Sequence, residues 1–174
     1  MLATGDPRIK EQLELQSRVT ILKSKKSQFD KEQISARDKL TFEYPKTWSV
    51  YVAKDAHSGG DFEAYFNPVE VNEVSNETIA ALRVKIVNRS FDDVAADYQR
   101  DLEGDEPRLK LESVTIGNDN KITANRYTGK IPNTEFTGYI VIFKIRDKTA
   151  IMQTDSVLFE SDYNNLLGTV RFNA

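Results

Sequence analysis

One histidine, His57, stands in the stretch Asp55-Ala-His-Ser-Gly-Gly-Asp61, and the chain has no other. An imidazole between two carboxylates is a donor set suited to a divalent metal, so Asp55, His57 and Asp61 are the candidate ligands. With a metal they would support a metal-dependent hydrolase, the enzymatic alternative for this chain. A single histidine on a Gly-rich loop with no fixed partner is more commonly a solvated side chain. The chain has no cysteine, which removes thiolate metal sites, disulfides and a cysteine nucleophile. Ser58 adjoins His57 but lies in no Gly-x-Ser-x-Gly elbow, so a Ser–His–Asp triad has no support. Walker loops and dinucleotide fingerprints are also missing; Gly59-Gly60 stands alone. The expectation is therefore no cofactor and no catalytic residue.

A second constellation is acidic. Asp92, Asp93, Asp97, Asp101, Glu103, Asp105 and Glu106 crowd one stretch, and Asp93, Asp97 and Asp101 recur at helical spacing. The spacing does not fit a calcium-binding EF-hand loop. It suits either a solvated helix face, with Asp92 and Asp93 favoured by the helix dipole, or a carboxylate surface for a basic partner. Asp93, Asp97 and Asp101 are the candidate partner-binding residues.

The elements that must hold these residues are mostly strands. Thr137 to Asp155 reads as a hairpin rich in β-branched and aromatic residues. With Asp147-Lys148 as its turn, Ile145 would face Ala150, Phe143 would face Met152 and Val141 would face Thr154. Ile140, Ile142 and Ile151 fall on the opposite face, so both faces of the sheet need cover. Leu40 to Tyr44, Trp48 to Val52, Phe62 to Asn67 and Thr78 to Asn88 read as further strands. In the last of these, Arg83 and Lys85 point away from the apolar face. Leu109 to Gly117 and Lys121 to Gly129 form another hairpin. Ser90-Phe-Asp-Asp93 resembles a capping box, and Phe91, Val94, Ala95, Tyr98 and Leu102 predict a helix that Gly104 stops. A second, short helix over Ser161 to Gly168, capped by Ser161, is expected, followed by a strand at Val170 to Phe172.

Residues 1–38 differ from the rest: they hold eight of the Lys/Arg and six of the Asp/Glu, while the whole chain of 174 residues carries −3. Asp6-Pro7 is a sound helix start, and Leu15, Val19 and Leu22 follow at helical spacing. The reading is an N-terminal helical arm or linker at 1–38 and one domain at 39–174. The acidic balance gives no reason to expect a nucleic-acid partner. No stretch reaches the ~18 apolar residues of a membrane span, and no basic-then-apolar leader opens the sequence. A cytoplasmic setting goes with Met1 as the true start. A tethered one requires a segment beyond this sequence.

Several stretches together resemble a PsbP-like domain. They are Leu40-Thr-Phe-Glu-Tyr-Pro-Lys-Thr-Trp48, Phe91-Asp-Asp-Val-Ala-Ala-Asp-Tyr98, Asn125-Arg-Tyr-Thr-Gly129, Gly138-Tyr-Ile-Val-Ile-Phe143 and Asp162-Tyr-Asn-Asn-Leu-Leu-Gly-Thr-Val-Arg-Phe172. The resemblance covers about residues 39–173. It implies an α+β fold with a central antiparallel sheet flanked by helices. It also implies a non-catalytic protein-interaction or scaffolding module, extracytoplasmic and membrane-tethered, of bacterial type. The sequence thus leads to a protein partner of unspecified identity and to no particular oligomeric state.

Overall fold

The computed structural model describes residues 40–45, 47–55, 61–68, 78–117 and 119–172. Its centre is one seven-stranded antiparallel sheet. In chain order the strands are β1 (Leu40–Thr41), β2 (Ser49–Asp55), β3 (Phe62–Asn67), β4 (Leu82–Val87), β5 (Leu109–Ile116), β6 (Ile122–Lys130), β7 (Thr137–Ile145), β8 (Lys148–Thr154) and β9 (Arg171–Phe172). The main sheet runs β2-β3-β4-β8-β7-β6-β5, and β1 pairs separately with β9. Helix α1 spans Phe91–Ala96, a turn of 3-10 helix follows at Gln99–Leu102, and α2 spans Glu160–Gly168 behind a second 3-10 turn, Val157–Phe159.

The chain makes one long crossing. Having built β4 in the middle of the sheet, it passes over β8, β7 and β6 and re-enters as the edge strand β5. The segment that crosses carries α1, and strands alternate their faces, so the sheet must be apolar on the side it crosses. That face holds Leu109, Tyr127, Ile140, Ile142 and Ile151, packed with Val94, Phe91, Ala95 and Tyr98 of the crossing. The other face is the larger core. Phe66, Leu82, Val84, Val141, Phe143 and Met152 lie there under Tyr163, Leu166 and Leu167 of α2 and under Phe42, Tyr44 and Trp48 from the start of the domain. The Tyr163 hydroxyl donates to the Met152 carbonyl at 2.5 Å, so this buried phenol is satisfied and pins α2 to β8.

The fold class departs from the α+β expectation. The domain is mainly β: among the described residues α1 has six residues and α2 nine, and neither layer flanks the sheet with long helices. The periodic stretch from Phe91 to Leu102 begins as predicted, with the Ser90 hydroxyl accepting from the Asp93 N–H at 3.1 Å. After Ala96 it tightens. Asp97 N–H bonds to Val94 C=O at 3.0 Å and Tyr98 N–H to Ala95 C=O at 3.1 Å, the three-residue reach of a 3-10 turn. The apolar positions still meet the sheet, but as a short helix and a turn. The expected helical arm, 1–38, lies outside the described residues.

The central hairpin is present with a different pairing. Ile145 faces Lys148, Phe143 faces Ala150 and Val141 faces Met152, because the turn is Arg146-Asp147. Arg146 takes the left-handed region at φ +54°. Relative to the expected pairing the partners move by two, an even step, so every side chain keeps its predicted face. At the other end Gly138 pairs with Gly129. A Cβ on Gly138 would run into the Thr154 carbonyl, and one on Gly129, at φ +139°, into the Arg108 carbonyl. The strands approach closely there only because both residues lack side chains.

Candidate functional site

The acidic stretch meets a cavity. An open cleft of about 740 Å³ lies between the crossing and the connection from β6 to β7, lined by Ala96, Asp97, Arg100, Asp101, Arg108 and residues 132–135. Both walls are built by local rules. Ser90 caps α1, and the buried Thr149 hydroxyl of β8 donates to the Arg89 carbonyl at 2.9 Å, which fixes where the helix begins. Opposite, the Ile131 N–H bonds to Phe136 C=O at 2.9 Å, and Thr134 N–H returns to Ile131 C=O at 3.1 Å. Asn133 occupies the left-handed region at φ +64°, a conformation its side chain tolerates better than most.

The three candidate carboxylates have different surroundings. Asp97 is held by Arg89, whose two terminal nitrogens reach its two oxygens at 2.7 and 3.2 Å. The guanidinium hydrogen bond holds the Asp97 carboxyl below the usual carboxylate range. Asp101 stands 3.6 Å from Arg108, which also donates to the Thr134 carbonyl at 3.1 Å and so ties the two walls together. Asp93 is exposed on α1 and does not line the cleft. The stripe foreseen as a free anionic surface is therefore neutralised at Asp97 and partly at Asp101. Arg100 is also exposed; its carbonyl accepts from the Glu103 N–H at 3.3 Å, and its guanidinium has no hydrogen-bond or ion-pair partner among the described residues. Reading the acids alone hid these arginines; their signal was the alternation of Arg89, Arg100 and Arg108 with the aspartates.

Tyr98, next to Asp97 in the chain, turns to the apolar side and packs on the sheet. Its ring packs on Tyr127, 4.7 Å between centroids, and burial pushes its phenol up to about 12. The 3-10 turn is thereby anchored to the sheet, and the side chains facing the cleft sit on a fixed base.

The Asp55, His57 and Asp61 constellation is placed in part. Asp55 ends β2 and pairs with Phe62, so Asp55 and Asp61 come to the same end of the β2–β3 hairpin. Asp61 accepts a hydrogen bond from the Asn88 N–H at 3.1 Å, a local brace between β3 and β4. His57 lies outside the described residues. Among those residues no three His, Cys, Asp or Glu side chains converge as metal ligands.

A second polar cluster was not singled out from sequence. Across the face that α1 covers, strand pairing lines up Tyr51, Tyr65, Arg83 and Gln153 in one row. Arg83 lies 4.8 Å over the Tyr65 ring and bonds the buried Asp155 at 2.7 Å. Asp155 also accepts from Ala80 N–H at 2.9 Å and from the Gln153 amide at 2.7 Å. The Tyr65 hydroxyl donates to Glu63. Tyr65, Arg83, Gln153 and Asp155 each have a partner within the protein, so the cluster fastens β3, β4 and β8. The opposed charges of Arg83 and Asp155 carried the signal, seventy-two positions apart in the chain.

No known protein-family model matches the chain, and no curated protein matches it.

Proposed function

We propose that the protein is a non-catalytic protein-binding module that docks a partner in the cleft between the α1 crossing and the 132–135 connection. The observation that supports this reading is the cleft's lining. Three acids, Asp97, Asp101 and Glu135, alternate with Arg100 and Arg108 around a space of about 740 Å³. Small-molecule sites are lined mainly by apolar and aromatic side chains, whereas protein contact surfaces are rich in arginine and polar rims. The Arg100 guanidinium has no partner among the described residues. Its planar fork suits a carboxylate from a partner, which would meet it with two parallel hydrogen bonds. The kinship with PsbP-like domains, and the extracytoplasmic, tethered setting that it implies, belong to the same proposal; both rest on the sequence motifs alone.

The experiment compares capture of partners by the full chain with capture by Arg100→Glu, and by Asp92→Lys as a control outside the cleft. Circular dichroism establishes that each variant keeps its sheet. Arg100→Glu is expected to weaken recovery of a specific partner at least about tenfold, the scale of one charge-assisted pair. Equal recovery with Arg100→Glu would remove the cleft as the docking surface.

A further inference from the structure

β5 is an outer strand of the sheet and pairs with β6 over all eight residues without a register shift. Its phase can be read from the bonds at its ends. Lys130 N–H donates to the Arg108 carbonyl at 3.0 Å, one step beyond the Leu109–Gly129 pair. In an antiparallel ladder the bonded positions alternate with positions whose N–H and C=O point away. Lys110, Glu112, Val114 and Ile116 therefore direct their backbone at β6. Leu109, Leu111, Ser113 and Thr115 direct theirs outward. Two further bonds agree. Ile131 N–H to Phe136 C=O sets the same alternation from the β7 side of β6, and Gly117, the next outward position, gives its N–H to Leu167 C=O at 3.0 Å. The end of α2 thus closes the edge at Gly117. From Leu109 to Thr115 the edge is open among the described residues.

Open edges are usually blunted. The opposite edge strand, β2, has a register irregularity between Val52 and Lys54. β5 has no irregularity and no proline, and Leu111 stands 46% exposed in its middle. Its flanking residues, Lys110 and Glu112, are exposed and share the other face of the strand.

We propose that β5 pairs antiparallel with β5 of a second copy of this chain, about a twofold axis through Leu111. The outward backbone groups then complete the ladder: Leu111 bonds Leu111 of the second copy, and Leu109 and Ser113 bond Ser113 and Leu109 of the second copy. In this register Lys110 lies opposite Glu112 of the second copy, twice over by symmetry, and the two exposed leucines meet on the other face. Neighbouring registers lose this match. Centring on Lys110 or on Glu112 sets like charges against each other. Centring on Ser113 puts Glu112 against Val114 and Lys110 against Ile116. The strand is self-complementary in one register, and that register agrees with the phase of its free backbone. The axis stands perpendicular to the sheet, so the dimer carries both clefts on the same face.

Sedimentation equilibrium of the full chain over a concentration series tests this. A monomer–dimer equilibrium is expected. Lys110→Glu and Glu112→Lys, each tested alone, bring like charges together twice and should raise the dissociation constant on the order of tenfold. The double variant Lys110→Glu/Glu112→Lys restores opposite charges and should recover the wild-type value, which a folding defect could not imitate. A chain that stays monomeric at all concentrations would overturn the proposal, and so would a dimer whose affinity neither single variant alters.

Discussion

Asp155 and Arg83 tie β4 to the end of β8 through a buried ion pair. The Asp155 side chain is fully buried and Arg83 is 14% exposed, so each has left water and depends on the other. The carboxylate meets one backbone N–H, the guanidinium and the Gln153 amide, which satisfies its lone pairs. Removing one member leaves the other buried without a counter-charge. Asp155→Ala is therefore expected to cost about 3–5 kcal/mol of unfolding free energy. Urea denaturation measures it; a loss below about 1 kcal/mol would show that Arg83 rehydrates freely. The cluster could not be read from the sequence because strand pairing brings its members together. Arg83 was visible as a polar residue facing away from the apolar side of β4, but nothing in its own strand names Asp155.

At the scale of elements, α1 positions one wall of the cleft with only six residues, so its cap matters. Ser90→Ala removes the bond to the Asp93 N–H and should cost about 0.5–2 kcal/mol, with the dependence on denaturant concentration unchanged. A midpoint equal to wild type would show that sheet contacts alone set the helix start. This cap was legible in advance, since a serine three residues before an acid at a helix start satisfies local donors. So were β3, the β5–β6 hairpin and the faces of β7 and β8, because two-residue periodicity reports burial directly. Local signals failed where two solutions compete locally. Arg146 adopting a positive φ moved the hairpin turn by one residue. The final helix is preceded by a 3-10 turn whose capping serine is Ser156, accepting from the Leu158 N–H at 3.1 Å, so Ser161 lies inside the helix rather than before it. The cleft was half legible: Asp97 and Asp101 line it, but their arginine partners come from before the cap and from just before β5.

Over the whole molecule, the two cores share one sheet, and their tyrosines report on both. On the side crossed by α1, burial raises Tyr65 and Tyr98 to about 12, and the hydrogen bond to Glu63 adds to the rise at Tyr65. On the other side, burial pushes Tyr163 and Tyr139 up as well. A phenol whose folded value lies above its unfolded value of about 10 keeps its proton longer in the native state. Between the two values the unfolded chain binds fewer protons than the folded one, so stability falls as pH rises. The contribution of Tyr65 and Tyr98 is complete below about pH 10 and is lost as pH climbs toward about 12. Tyrosinate absorbance of the native protein should therefore show fewer than its seven tyrosines ionising in the ordinary range. The remainder should appear together with loss of the β-sheet signal, since phenols on opposite faces are released when the strands between them separate. If all seven ionised near pH 10 while the sheet signal persisted, the packing of both faces against one cooperative sheet would be refuted.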